Sequence, residues 1–70
     1  MRYLKELRKK NKYSCQDMAD MLNISKCFYW QIENYKRKLS YEMAIKIANI
    51  FNKKPDEIFY EEYKNLENNF

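Results

Sequence analysis

The sequence predicts an all-α fold of five short helices packed into one small domain. Glycine is absent from all 70 residues, which disfavours strand-rich folds because tight hairpins depend on Gly-containing turns. Apolar residues recur at helical spacing, and Ser, Asn or Pro punctuates the segments between them. A chain of this length supports one domain with a modest core. We expect the domain to span residues 1–70, with the core at about 2–60 and an extension of helix 5 or a tail at 61–70.

The first two helices are placed by their apolar stripes and their caps. Helix 1 is predicted from residue 1 or 2 to Lys10, since Leu4 and Leu7 lie on one face. Ser14 is a favourable N-cap for helix 2, and Asp17, three residues later, completes a capping-box pattern. The predicted apolar stripe of helix 2 consists of Met18, Ala19 and Leu22.

A tight turn and a capped third helix follow helix 2. Asn23 stands where the chain must reverse in left-handed geometry, which Asn tolerates better than any residue except Gly. Ile24 is expected to point inward, and Ser25 caps a helix predicted from Lys26 to about Asn34. A helix, a tight turn and a second capped helix form the arrangement of a helix-turn-helix DNA-binding motif.

Two further helices complete the prediction. Ser40 caps helix 4, predicted over Tyr41–Phe51, and Asn52 is predicted to end it in left-handed geometry. Pro55 suits the first turn of helix 5, where acidic residues follow it at the positive end of the helix dipole. The inner stripe of helix 5 is predicted to contain Ile58 and Phe59 and to extend to Tyr63 and Leu66.

The net charge of +4 conceals a gradient along the chain. Residues 1–13 carry six basic side chains and one acid, a net +5, whereas residues 56–70 carry one base and five acids, a net −4. A basic body with an acidic end suits a surface that meets phosphates. Ordinary solubility charge explains the gradient equally well when the gradient is taken alone.

Composition also narrows the classes of function. The sequence contains neither a membrane-spanning apolar run nor a signal-peptide pattern, so we expect a cytoplasmic protein. Two cysteines and no histidine fit neither a disulfide framework nor a four-ligand zinc site. Without a His base, a Gly-rich phosphate cradle or a metal-ligand cluster, we expect no enzyme activity, no metal and no cofactor.

Together these elements resemble the lambda-repressor-like, Cro/C1-type (XRE) helix-turn-helix family over roughly Leu4 to Phe59. The resemblance implies a five-helix domain that binds double-stranded DNA as a transcriptional regulator, usually a homodimeric repressor, with helix 3 in the major groove. The matching elements are Leu4-x-x-Leu7-Arg8, Ser14-x-x-x-Met18-Ala19, Leu22-Asn23-Ile24-Ser25, Ile32-Glu33-Asn34, Lys36-Arg37, Ser40-x-Glu42-x-Ala44-x-Lys46-Ile47-Ala48 and Asp56-Glu57-Ile58-Phe59.

The resemblance and the helical wheel assign roles to individual residues. Tyr29, Ile32 and Glu33 share one arc of helix 3 and should pack inward, leaving the opposite arc for DNA. Arg8 and Glu33 match a family ion pair that joins helix 1 to the end of helix 3. Base contacts are expected from Lys26, Cys27 and Gln31, and phosphate contacts from Ser14, Gln16, Asn34, Tyr35, Lys36, Arg37 and Lys38.

The chain departs from the family pattern in its turns and on helix 3. The family often has Gly at the positions of Lys12, Asn23, Tyr35 and Asn52. Lys12 and Tyr35 are poor left-handed residues, so their turns either change geometry or carry about 1 kcal/mol of strain. Cys15 replaces the usual Gln at the start of helix 2. Trp30 is expected mainly to cover the edge of the core, with a phosphate contact as the second role.

Other interpretations remain open at the level of sequence. The same fold can serve as a protein-interaction module, such as an antitoxin or a partner that sequesters a regulator. Cys15 and Cys27 each fall in the first turn of a helix, where a thiol can become reactive, so oxidation or metal binding could switch DNA binding; two ordinary small residues are the simpler explanation. Helix 5 with the tail is the expected dimer contact, the edge formed by Tyr41 and Ile45 is the alternative, and no small-molecule ligand is expected.

Overall fold

The structure is a computed structural model that describes residues 1–60, and over that range all of its regular secondary structure is α-helical. The helices are α1 (Arg2–Lys10), α2 (Cys15–Leu22), α3 (Lys26–Glu33) and α4 (Tyr41–Ile50), followed by α5 from residue 55 to residue 60. The predicted five-helix, all-α fold is confirmed. Helices α3 and α4 end one residue earlier than expected, with Asn34 and Phe51 as their C-caps. The predicted inner positions Tyr63 and Leu66 lie outside the described residues.

Serine hydroxyls fix the start of three helices. Ser14, Ser25 and Ser40 each accept a hydrogen bond, of 3.0–3.1 Å, from the backbone N–H three residues later. At α2 the capping box is complete, because the Asp17 carboxylate accepts from the Ser14 N–H at 2.8 Å. Each such cap stabilises a helix by about 1 kcal/mol. The predicted boundaries of α2, α3 and α4 therefore hold at the N-terminal end.

The core forms where the apolar stripes of the helices meet. α3 packs against α2 and α1, and α4 packs against α2. Tyr29 and Phe59 are the largest side chains in this core, and both are completely buried. The other buried apolar residues are Leu4, Leu7, Met18, Ala19, Leu22, Ile32, Ala44, Ile47, Ala48 and Ile58. Because these contacts cover only the inner side of α3, its opposite side faces outward.

Helices α1 to α4 all end in the same left-handed turn, although the chain has no glycine. The residues at its centre are Lys12, Asn23, Tyr35 and Asn52, with φ of 61°, 58°, 61° and 54°. At α1, Lys12 N–H donates to Lys9 O and Tyr13 N–H donates to Arg8 O, both at 3.0 Å. This pair of bonds defines a Schellman motif, and the same pattern closes the other three helices. Lys12 and Tyr35 thus keep the left-handed geometry and carry its steric cost.

Replacing Lys12 with Gly should raise the free energy of unfolding. Lys12 is exposed and in the left-handed region, so its Cβ is strained while its side chain contributes little packing. Removing the Cβ relieves that strain, partly offset by the greater freedom of Gly in the unfolded chain, for a net gain of about 0.5–1 kcal/mol. Urea unfolding measures the difference. Lys12→Ala retains the Cβ and is the control; equal stability of the two variants would contradict the strain.

Candidate nucleic-acid interface

The burial pattern of α3 divides the helix into an inner and an outer face. Tyr29, Ile32 and Glu33 are 0%, 1% and 3% exposed and pack inward, as the helical wheel predicted. At 100° per residue, the remaining positions other than Phe28, which packs against the core, fall on one continuous arc. This outer face of α3 consists of Lys26, Cys27, Trp30, Gln31 and Asn34, of which Gln31 is half-buried and the others are exposed.

The α2–α3 turn sets the direction in which α3 projects. Asn23 adopts φ 58° and ψ 44°, which ends α2 and reverses the chain in a short space. Ile24 then packs against the core, and the Ser25 hydroxyl caps α3 at once. Because the turn is short and anchored on both sides, α3 is held at a fixed angle with its first turn exposed.

A buried ion pair anchors the other end of α3 to α1. Arg8 Nε lies 3.0 Å from Glu33 Oε2, and Arg8 Nη2 lies 3.0 Å from Glu33 Oε1. Arg8 Nη1 also donates to the backbone oxygen of Tyr13 at 2.9 Å. Arg8 and Glu33 are only 8% and 3% exposed, and the hydrogen bond to Glu33 raises the pKa of Arg8. The bidentate geometry therefore fixes both the distance and the tilt between the two helices.

Tyr29 lies close to this ion pair, and its hydroxyl is buried. The hydroxyl has no hydrogen-bond partner of good geometry among the described residues. Desolvation by burial raises the pKa of Tyr29 well above its usual range, and the Glu33 carboxylate raises it further. The side chain is therefore a packing element whose neutral form the fold requires.

The raised pKa of Tyr29 predicts a loss of stability in alkali. Above about pH 10, ionisation of this tyrosine stabilises the unfolded chain, whereas the buried tyrosine of the folded chain stays neutral. The free energy of unfolding therefore keeps the full contribution of Tyr29 below about pH 10 and loses it progressively as the pH rises further. Tyr29→Phe should weaken the decline in unfolding free energy between about pH 9 and 11, with little change at pH 7 because the Glu33 carboxylate keeps its two hydrogen bonds from Arg8. Tyr41→Phe, at an exposed site, is the matched control, and an equal effect of the two substitutions would contradict the role of burial.

Arg37, in the loop after α3, folds back onto the outer face. Its Nε donates to Gln31 Oε1 at 3.2 Å, and its guanidinium carbon lies 4.3 Å from the centre of the Phe28 ring. We call these three residues, Phe28, Gln31 and Arg37, the Arg37 clamp. From the sequence, Gln31 was expected to contact a base and Arg37 a phosphate. A contact between these two side chains was not predicted.

The other expected phosphate-contacting residues differ in how free their polar groups are. Gln16 Nε2 donates to Asp20 Oδ1 at 2.8 Å, and Asn34 Nδ2 donates to the Trp30 backbone oxygen at 2.9 Å. Ser14 Oγ already accepts the cap bond from Asp17. Exposed side chains follow α3 directly in the loop at Tyr35, Lys36, Arg37 and Lys38. The loop is thus the main source of positive charge beside α3.

Trp30 is the outer-face residue that sequence reasoning misplaced. It is 47% exposed and does not cover the core edge, so that expectation is wrong. The signal was in the spacing, because Trp30 follows Lys26 by four residues and precedes Asn34 by four, and both of those face outward. An indole in this position offers a large apolar surface and an N–H donor.

The cysteines differ in their surroundings. Cys15 is half-buried and packs against the core, whereas Cys27 is exposed on the outer face of α3; both are free thiols. Across residues 1–60, no group of three or more His, Cys, Asp or Glu side chains is placed to hold a metal ion. No helix in that range is long and apolar enough to cross a membrane.

Comparison with protein families agrees with this geometry. A family model described as a helix-turn-helix domain matches residues 2–64, a range that includes all five helices. No curated protein and no solved structure shows significant similarity to the chain. Because the match covers nearly the whole chain, and because α2, the Asn23 turn and α3 form the motif itself, the chain belongs to the helix-turn-helix domain family, of the Cro/C1 (XRE-like) type.

Proposed function

We propose that the protein is a sequence-specific regulator of transcription that binds double-stranded DNA with α3 in the major groove. The observation that carries this proposal is the outer face of α3, on which every residue except the half-buried Gln31 is exposed, and which is braced from behind by the Arg8–Glu33 pair. An α-helix fits the major groove of B-DNA, where each base pair presents a distinct set of donors and acceptors. A rigidly held helix whose outer face carries polar side chains is suited to recognising these donors and acceptors.

Three residues of the outer face would contact bases. Lys26 can donate to O6 and N7 of guanine, and Gln31 can pair with adenine through both ends of its amide. Cys27 is small enough for close approach and can contact a thymine methyl group. All three lie on the arc left uncovered by the core, and Lys26 and Cys27 belong to the exposed first turn.

Phosphate contacts would come from both sides of α3. Lys36, Arg37 and Lys38 supply charge in the loop after α3, and Tyr35, which precedes them in the chain, carries a hydroxyl donor. The backbone amides at the start of α2, near Ser14 and Gln16, can bind a phosphate on the other side. Gln16 and Asn34 each already use one of their two amide N–H donors in an internal hydrogen bond, so we expect smaller contributions from their side chains.

We further propose that the regulator is a cytoplasmic homodimeric repressor that occludes polymerase at a two-fold symmetric operator. The α1–α5 side favours a second copy, since Tyr3 and Tyr60 are 40% and 59% exposed and line a depression of about 390 Å³ with Ile58. The edge of α4 near the exposed Tyr41 and half-buried Ile45 is the alternative contact. In either dimer the two α3 helices should lie about 34 Å apart, one turn of DNA.

One observation favours a second candidate function, a protein-interaction module. Trp30 is exposed in the middle of the outer face, and tryptophan is enriched in protein–protein interfaces. An antitoxin or a sequestering partner could use the outer face of α3 to bind protein instead of DNA. The adjacent cluster of Lys36, Arg37 and Lys38 makes DNA the better-supported ligand.

Selection from random-sequence DNA, followed by sizing of the complex, tests the proposal. We expect one duplex sequence to be enriched, with two half-sites about one helical turn apart and two protomers bound. Binding should weaken with salt and exceed binding to a duplex of the same composition in scrambled order. Failure to enrich any sequence, with a stable complex formed only with another protein, would favour the interaction module.

A further inference from the structure

We propose that Arg37 is a positioning residue for base readout, because it holds the Gln31 carboxamide in one orientation on the outer face of α3. The inference rests on the proposed function, in which Gln31 contacts a base. It goes beyond that function by assigning to the loop after α3 a role in sequence preference as well as in phosphate binding.

The contacts of the Arg37 clamp support this role. Arg37 Nε donates to Gln31 Oε1 at 3.2 Å, while the guanidinium lies over the Phe28 ring at 4.3 Å. Phe28 is half-buried and packs against the core, so the surface under the guanidinium is fixed. A planar cation stacked on an aromatic ring loses much of its freedom. The oxygen of Gln31 therefore has a donor held in place.

A glutamine amide discriminates better between bases when a neighbouring group holds it in one orientation. One end of the carboxamide accepts hydrogen bonds and the other end donates them, and a free side chain rotates between orientations that suit different bases. Holding Oε1 removes this ambiguity. The same oxygen has a second lone pair, which can accept from adenine N6 while Nε2 donates to adenine N7. Arg37 thus fixes the orientation of the Gln31 carboxamide before the protein binds DNA.

The same arginine can serve the phosphate backbone. The contact with Gln31 uses Nε, and the Nη groups can donate to a phosphate oxygen at the same time. Lysine carries the same charge but cannot reproduce this geometry, since its ammonium is a point charge without a planar fork. Arg37→Lys therefore separates the two roles, because it keeps the charge and removes the clamp.

The test measures base preference and salt dependence separately. Wild-type protein is titrated with the selected duplex and with variants carrying each alternative base at each position. Gln31→Ala identifies the position that Gln31 reads. We expect Arg37→Lys to lose about tenfold in preference at that position alone, with the slope of affinity against salt close to that of wild type. Lys38→Ala is the control and should weaken all duplexes alike while keeping the preference.

An NMR measurement on the free protein tests the contact between Arg37 and Gln31 without DNA. The Arg37 Nε–H signal in the NMR spectrum should shift when Gln31 is replaced by Ala, because its acceptor is lost. An unshifted signal would overturn the proposal, as would full base preference in Arg37→Lys or an equal loss at every position. If wild-type protein prefers no duplex, the proposed function fails and the readout role fails with it, whereas the NMR shift still reports whether the clamp exists.

Discussion

Arg8→Ala will lower the free energy of unfolding by about 3–5 kcal/mol, as measured by urea unfolding. The substitution leaves the Glu33 carboxylate, which is 3% exposed, buried without its bidentate partner. It also removes the donor to the Tyr13 backbone oxygen. Since small domains have total stabilities of about 5–15 kcal/mol, this loss is a large fraction of the whole. We therefore expect a variant close to unfolding at physiological temperature.

The chain provides a matched control on the same helix. Arg2 Nε lies 3.2 Å from Glu6 Oε1, but these side chains are 93% and 61% exposed. Exposed pairs contribute little to stability, so Arg2→Ala should hardly change the unfolding free energy. A similar loss of unfolding free energy in Arg8→Ala and Arg2→Ala would contradict the claim that burial makes the Arg8–Glu33 pair important. A combined Arg8→Met and Glu33→Leu variant should recover stability, since no charge is stranded, but should not recover DNA affinity, because α3 loses its directional brace.

DNA affinity will fall by about 10³–10⁵-fold between about 50 and 200 mM salt, if the dimer makes about 6–10 phosphate contacts. The physical reason is that basic side chains displace counterions from the phosphates, and added salt makes the release of those ions less favourable. Lys36, Arg37 and Lys38 supply this charge beside α3. Fluorescence anisotropy of a labelled duplex over a series of salt concentrations gives the slope.

Single lysines test where that slope originates. Lys36→Ala should reduce the slope by about one for each protomer and weaken all sequences alike. Lys46→Ala is the control, because Lys46 lies on α4 and pairs with Glu42 at 3.7 Å. An equal effect of the two substitutions would place the electrostatic contact outside the loop after α3.

The sequence predicted those features of the fold that depend on short-range interactions. Ser14, Ser25 and Ser40 mark helix starts because a cap bond reaches only three residues along the chain. The inward arc of α3, containing Tyr29 and Ile32, follows from helical periodicity. The local sequence pattern was therefore sufficient to predict the number and order of the helices and most of their first and last residues.

Features that depend on the rest of the fold were not predictable in the same way. The intrinsic preference of Lys12 and Tyr35 disfavours positive φ, yet the two Schellman bonds and the packing on either side impose it. Trp30 was assigned to the core edge because of its size, although its spacing places it outside. The Arg37 clamp requires a loop to fold back across one turn of α3, and propensity alone does not specify such a path.

An NMR titration of the protein with its selected duplex shows which surface of the domain meets DNA. If α3 reads the major groove, the largest shifts of backbone amide signals will fall in residues 25–38, with smaller ones at the start of α2. A duplex with the same bases in scrambled order should give weaker shifts that vanish with salt. Shifts concentrated around Tyr3 and Tyr60, with the outer face of α3 unaffected, would mean that α3 does not read the major groove.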